Sequence, residues 1–149
     1  HPRIIIFGLG RYGSRLLQQL AAARLPVLCV DFDPEAVRTL RRSKLPVRFG
    51  DGEDPSFLES LPLQHAEWVV TSFPQWEANR AFLHALKHAG FQGKIAGVVR
   101  DDQHGKALDA AGVARVLNPF TDAADFAARS LIDELGSTPR PPTDYAARR

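Results

Sequence analysis

Apolar residues along the chain fall into six short runs, separated by longer stretches where they recur at helical spacing. Residues 3–7 form a β-branched run; glycines follow, and then Leu16, Leu17, Leu20 and Ala21 share one helical face. The unit then repeats. Residues 27–31 read as a second strand, Pro34-Glu35 opens a helix carrying Val37 and Leu40, and residues 47–49 read as a third strand before Gly50-Asp51-Gly52. Asp54-Pro55 joins a capping side chain to a proline at the first helical position, which predicts a short helix through Leu61. Residues 68–73 are the fourth strand. Ala78, Ala81, Phe82, Ala85, Leu86 and Ala89 share a face of the following helix, and Gly90 stops it. A fifth strand at 94–99, a helix at 102–111 ended by Gly112, a sixth strand at 114–117 and a helix at 122–135 complete the pattern.

Strands alternating with helices imply parallel crossovers, which are right-handed almost without exception. The strand runs are apolar on both faces, as expected where helices cover both sides of a sheet. The expected fold is α/β: a Rossmann-like, doubly wound, six-stranded parallel sheet in a single domain over residues 1–135. Residues 136–149 have neither periodicity nor core residues and are expected to form a flexible tail.

Length and composition change this picture little. The 149 residues are 44% apolar and 24% charged, the balance of a globular domain that needs neither disulfides nor structural metal to complete its core. The only cysteine, Cys29, lies within Val27-Leu28-Cys29-Val30 and reads as a small core residue rather than a reactive thiol. The net charge of +2 resides in the tail, which holds Arg140, Arg148 and Arg149 against a single acid, Asp144; residues 1–135 sum to zero. A neutral globular part argues against nucleic acid as a partner, since such binding scales with clustered cations. No apolar stretch approaches the ~20 residues of a membrane span. The abrupt start at His1-Pro2 suggests a domain of something longer.

Gly8-Leu9-Gly10-Arg11-Tyr12-Gly13 is a GxGxxG that follows a strand and opens a helix, the context in which the motif signifies nucleotide binding. Gly8 would allow the tight turn, Gly10 would let a phosphate approach the backbone, and Gly13 would permit close helix packing, while the helix N-terminus attracts the anion. Asp31, eighteen residues beyond Gly13 at the end of the second strand, is placed to accept hydrogen bonds from ribose hydroxyls. Asp33 reads as the cap of the helix opened by Pro34. The first cation after Asp31 is Arg38, well inside that helix, so a 2′-phosphate is disfavoured. Arg11 and Tyr12 could lie over a phosphate or base. Asp51, Thr71, Ser72, Phe73 and Arg100 sit at the carboxyl ends of strands near the switch point, where open α/β sheets bind ligands. Asp51 could instead cap a turn, and Asp101 or Asp102 could occupy Arg100.

Signs of catalysis are few. His84 and His88 have metal-chelating spacing but lack the glutamate of HExxH and a third ligand. The residues four past Tyr12 and Tyr145 are Leu16 and Arg149, so the YxxxK pair of one reductase class is missing. A nucleotide held without a catalytic base reads as a signal rather than a hydride donor. The chief alternative is the cofactor-binding domain of an NAD-dependent oxidoreductase. A DNA-binding redox sensor would need a winged-helix segment, and the pattern shows none.

Three ordered motifs resemble those of the RCK or TrkA-N (KTN) domains that regulate potassium channels and transporters. They are Phe7 to Gly13, Val30-Asp31-Phe32-Asp33-Pro34-Glu35, and Gly50-Asp51-Gly52-Glu53-Asp54-Pro55, followed by Leu58 and Ala66 to Val70. The resemblance covers about residues 3–135. Arg100-Asp101, His104, Leu108 and Ala111-Gly112-Val113 make it most similar to the carboxyl-terminal domains of Kef-type potassium:proton antiporters. It implies a non-enzymatic, cytoplasmic, dimeric domain that binds AMP, ADP, ATP or NAD(H) and passes its ligand state to a membrane-embedded cation transporter in the inner membrane. Carried over, the ligand contacts would be Gly8, Leu9, Gly10, Arg11, Tyr12, Asp31, Phe32, Asp51, Gly52, Ser72, Phe73 and Arg100. Two departures stand out: Gly52 replaces the alanine often found after Gly-Asp, and residues 71–75 lack the usual acidic pair.

Overall fold

Six strands, β1 (Ile4–Phe7), β2 (Val27–Asp31), β3 (Val47–Phe49), β4 (Trp68–Thr71), β5 (Lys94–Val98) and β6 (Arg115–Leu117), form one sheet. Their order is β3-β2-β1-β4-β5-β6, and every neighbouring pair is parallel. The helices between them are α1 (Arg11–Ala22), α2 (Pro34–Arg42), α3 (Pro55–Glu59), α4 (Trp76–His88) and α5 (Asp102–Ala110). The computed structural model describes residues 1–137 and divides into two compact units, the first from His1 to Asn118 and the second beginning at Pro119. The expected Rossmann-like sheet is thus present, with the chain order reversing between β1 and β4.

Alternation along the strands sends side chains to two faces and so builds two cores. Ile5 and Phe7 of β1, Val30 of β2 and Val69 of β4 pack with Leu58 of α3 and with Phe82 and Leu86 of α4. Ile6, Cys29 and Val70, one register step away, pack on the opposite face with Leu17 of α1 and Val37 of α2. Leu108 of α5 joins Val99 and Val113 in a smaller cluster that reaches Leu83 of α4 and Ile95 of β5. Asp33 and Asp54 cap α2 and α3 as their spacing predicts, accepting N–H bonds from Glu35 and Ser56, each with proline at the first helical position.

Boundaries differ where tertiary bonds intervene. β4 ends at Thr71 instead of Phe73 because the Ser72 hydroxyl donates to the Phe7 carbonyl at 2.9 Å and the Phe73 carbonyl is taken by Asn79, which lifts the chain out of the sheet. α3 stops at Glu59, short of Leu61: Pro62 cannot continue a helix and disfavours one in the residue before it, and a single 3₁₀ turn (Leu63–His65) follows. The last helix, α6 (Pro119–Ser137), starts earlier than 122, with proline in its first turn. Gly136 and Ser137 belong to α6, and the remainder of the expected tail, 138–149, lies outside the described residues. Within α6, Phe120, Phe126, Leu131, Ile132 and Leu135 are all exposed.

Cys29 is completely buried on the α1 face of the sheet. Burial, reinforced by the Asp31 charge, pushes its thiol far above the ordinary range. Alkylation of Cys29 at mildly alkaline pH should therefore follow global unfolding, with denaturant accelerating it; a rate in native buffer matching that of a free thiol would contradict the burial. Phe82 is 1% exposed and meets Phe7 and Phe73 edge-on, with ring centroids 4.7 and 4.9 Å away. Phe82→Ala should cost about 3–5 kcal/mol in denaturant unfolding through lost burial and the cavity left behind.

Candidate functional site

The carboxyl ends of β1 and β2 and the loops after β3 and β4 enclose a cleft of ≈ 130 Å³. It is lined by Phe7, Gly8, Val30, Asp31, Phe32, Gly50, Gly52, Ser72, Phe73 and Pro74. This is the rim at which the strand order reverses, where neighbouring crossovers leave on opposite faces and open a crevice. Its walls are mostly aromatic and aliphatic, with Asp31 as the charged group among them.

Backbone geometry shapes the loop after β1. Gly8 has φ +107°, and a Cβ there would run into Ser72 Oγ, so both the turn and the close approach of the β4 loop require glycine. A Cβ on Gly13 would run into the Gly8 carbonyl oxygen, which lets α1 start directly against the loop. Around Gly10 a Cβ would meet nothing within 4 Å, so the loop's outer side is open. The Gly8 N–H donates to the Val30 carbonyl at 2.9 Å. The Leu9 N–H donates to Asp31 Oδ2 at 2.7 Å, and the Ser14 hydroxyl donates to the Leu9 carbonyl. No side chain caps α1 and its first turn holds no acidic residue, whereas Asp101 caps α5. The positive end of the α1 dipole therefore faces the loop without a capping side chain, and the carboxylate nearest to it, Asp31, is bonded to the loop N–H of Leu9 rather than to the helix itself.

Asp31 has a double attachment. Oδ2 holds the Leu9 N–H, and Oδ1 accepts the Asp33 N–H at 2.8 Å. Each carboxylate oxygen has a second lone-pair site, so the group can still accept hydroxyls from a ligand in the cleft.

Of the residues singled out from the sequence, the cleft brings together Gly8, Asp31, Phe32, Gly52, Ser72 and Phe73. Gly10 and Gly13 flank it through the loop and the start of α1. Leu9 contributes its backbone, while its side chain is buried in the α1-side core. Arg11 opens α1 and is exposed, with the half-buried Tyr12 next to it. Asp51 is exposed and accepts the Glu53 N–H at 2.9 Å, which fixes its own turn. Arg100 is exposed immediately before the cap of α5, and no carboxylate pairs with it among the described residues. Thr71 is completely buried, its hydroxyl committed to Asn79, and does not line the cleft.

Phe7, Val30, Gly50 and Pro74 also line the cleft, although the sequence did not mark them as ligand contacts. Gly50 had a signal, since it ends a strand run; a Cβ there would lie inside the Phe57 ring. Asn79, and the place of His104 beside it, also escape the sequence pattern, although Asn79 precedes Phe82 and Leu86 at helical spacing on a buried face. Chemically, the site combines apolar walls for a flat ring, a carboxylate for hydroxyls and an uncapped helix start for an anion.

Known proteins share this fold. Glutathione-regulated potassium-efflux system protein KefC of Cronobacter sakazakii is 30% identical over 135 residues; the match takes in 91% of this chain but 22% of that protein's length. The chain thus spans about a fifth of the relative it matches. Among solved structures, the Shewanella denitrificans Kef CTD in its AMP-bound form superposes with a TM-score of 0.69 at 22% identity, over 91% of this chain and 82% of the other. The GsuK channel bound to NAD does so with a TM-score of 0.69 at 21% identity, over 78% of this chain and 21% of that one. Residues 4–119, which span every strand of the sheet and the five helices between them, match the TrkA-N domain family, and the chain belongs to that family.

Proposed function

We propose that this chain is a nucleotide-binding regulatory domain that senses AMP, ADP, ATP or NAD(H) and governs a potassium or monovalent cation:proton transporter. One observation carries the reading: Asp31 lines the cleft and its carboxylate holds the glycine loop, which would join the phosphate-binding and hydroxyl-binding parts of a nucleotide site. The AMP of the Kef CTD structure and the NAD of the GsuK structure support the ligand class. The name of KefC supports the transported ion. In this reading Gly8, Leu9, Gly10, Gly13, Arg11 and Tyr12 surround the phosphate, Asp31 takes the ribose, and Phe32, Gly52, Ser72 and Phe73 border the base. Asp51 and Arg100 stand at the rim. Arg38 pairs with Glu35 on the outside of α2, which keeps the nearest following cation away from a 2′-phosphate at Asp31 and argues against NADP(H).

The domain would work on the cytoplasmic side of the inner membrane, as a homodimer attached to a membrane-embedded transport domain and without catalytic chemistry of its own. No helix among the described residues is long and apolar enough to cross a membrane. The exposed apolar side chains of α6 support a second copy of the chain as their cover. A nucleotide shifts transport only by the difference in its affinity for two dimer states, typically about 1–3 kcal/mol.

Titrated against AMP, ADP, ATP, NAD, NADH and NADPH, the chain should show a rise in Tm with the ligands that lack a 2′-phosphate and none with NADPH. A ligand at a hundred times its Kd adds ~2.7 kcal/mol of stability. Asp31→Ala should weaken AMP by about tenfold or more; AMP bound as tightly by that variant would refute the ribose placement. Sedimentation should show a dimer that Leu131→Asp with Leu135→Asp converts to monomer, and an equally dimeric double variant would exclude α6 from the interface.

A further inference from the structure

Behind the cleft lies a buried polar cluster that the nucleotide reading does not use. Asn79 in the first turn of α4 and Thr71 at the end of β4 are completely buried, and His104 in the first turn of α5 is 8% exposed. Asn79 Nδ2 donates to the Phe73 carbonyl at 3.0 Å and lies 2.8 Å from His104 Nε2, while its Oδ1 accepts from the Thr71 hydroxyl at 2.8 Å. Only one arrangement satisfies these contacts. The Phe73 carbonyl can only accept, so the amide NH₂ must face it; its second hydrogen then meets His104 Nε2, which must offer its lone pair.

His104 is fixed in turn. Its backbone N–H donates to the Asp101 carboxylate at 2.7 Å, and its ring stands edge-on to Trp76 at 6.2 Å between centroids. Hydrogen bonds thus tie Asp101 to the His104 backbone and the His104 ring, through Asn79, to the carbonyl of Phe73, with the covalent frame of His104 joining the two. Phe73, with Ser72 and Pro74, forms one wall of the cleft. A buried amide costs stability unless every polar atom is bonded, and an apolar side chain of similar size would fill the space without that demand. What the amide adds is a grip on the Phe73 carbonyl, at the point where the chain has left β4 and no neighbouring strand holds it.

We propose that Asn79, oriented by His104, is a positioning residue for the ligand site: it sets the wall at residues 72–74 and locks that wall to the turn bearing Arg100. The proposal rests on the reading of the cleft as a nucleotide site. A ligand contact at Phe73 is then coupled through Asn79 and His104 to Asp101 at the start of α5, the turn from which the exposed Arg100 projects.

The test compares His104→Leu, which removes the acceptor, with His104→Gln, which keeps one, and with Asn79→Leu, all in the 149-residue chain. Calorimetry with AMP well below each Tm, and amide exchange of residues 72, 73 and 75 without ligand, provide two separate readouts. His104→Leu and Asn79→Leu should bind AMP about tenfold more weakly and exchange faster at those amides, while His104→Gln should stay within about twofold of the parent in both. In a Trp68→Phe background, Trp76 emission should respond to AMP in the parent and in His104→Gln but not in His104→Leu. Unchanged AMP affinity and unchanged exchange in a His104→Leu protein of lowered Tm would overturn the proposal, because the cluster would then be structural only. Should the parent bind no AMP or NAD, the nucleotide reading fails, and exchange at residues 72–75 alone decides whether the relay sets the wall. If Asn79→Leu does not fold, the contrast between the two His104 variants decides the question by itself.

Discussion

The Leu9 N–H donates to the Asp31 carboxylate across the gap between β1 and β2, and the cleft depends on that bond. Besides it, the start of the glycine loop is held by the Gly8 N–H on Val30 and by the Ser14 hydroxyl on the Leu9 carbonyl. With it, the loop, the end of β2 and the start of α2 are tied to one side chain, since the other oxygen of Asp31 takes the Asp33 N–H. A charged acceptor is well suited to this duty because its hydrogen bonds are about twice as strong as neutral ones. The same charge is one reason the neighbouring Cys29 remains a protonated thiol.

Most of the sheet was legible in the sequence because its signals are local. Proline and aspartate at helix starts, glycine at helix ends and short β-branched runs name the elements, and parallel crossovers follow from their alternation. Errors gathered where distant groups compete for the backbone. The end of β4 is decided by Asn79 and by the Phe7 carbonyl, residues that no local pattern associates with Phe73. The end of α3 did carry a local sign, Pro62, which the apolar Leu61 masked.

The site was legible to the extent that glycines and acidic residues mark it. Gly8 and Gly13 are glycines for the steric reasons the motif implies. Phe73 and Ser72 could be placed at the rim from strand order alone, whereas Thr71, one residue earlier, points into the interior. The end of the strand explains the difference: Thr71 is still part of β4, whereas Ser72 and Phe73 lie beyond it, and locating that end to a single residue was the step beyond reach. Asn79 and His104 were hidden for another reason: each looks like an ordinary polar residue on a helix, and only the packing of α4 against α5 brings them to 2.8 Å.

Gly52 illustrates how a small substitution can redesign a surface. A methyl group at this position would stand 3.0 Å from a ring carbon of Phe7 and 3.3 Å from one of Phe73, so both rings would have to retreat by a few tenths of an ångström. Both rings line the cleft. A single methyl group at residue 52 would therefore reshape two aromatic walls of the cleft at once. The width of the cleft is a joint property of residues 7, 52 and 73, so a change at residue 52 is passed on to both rings.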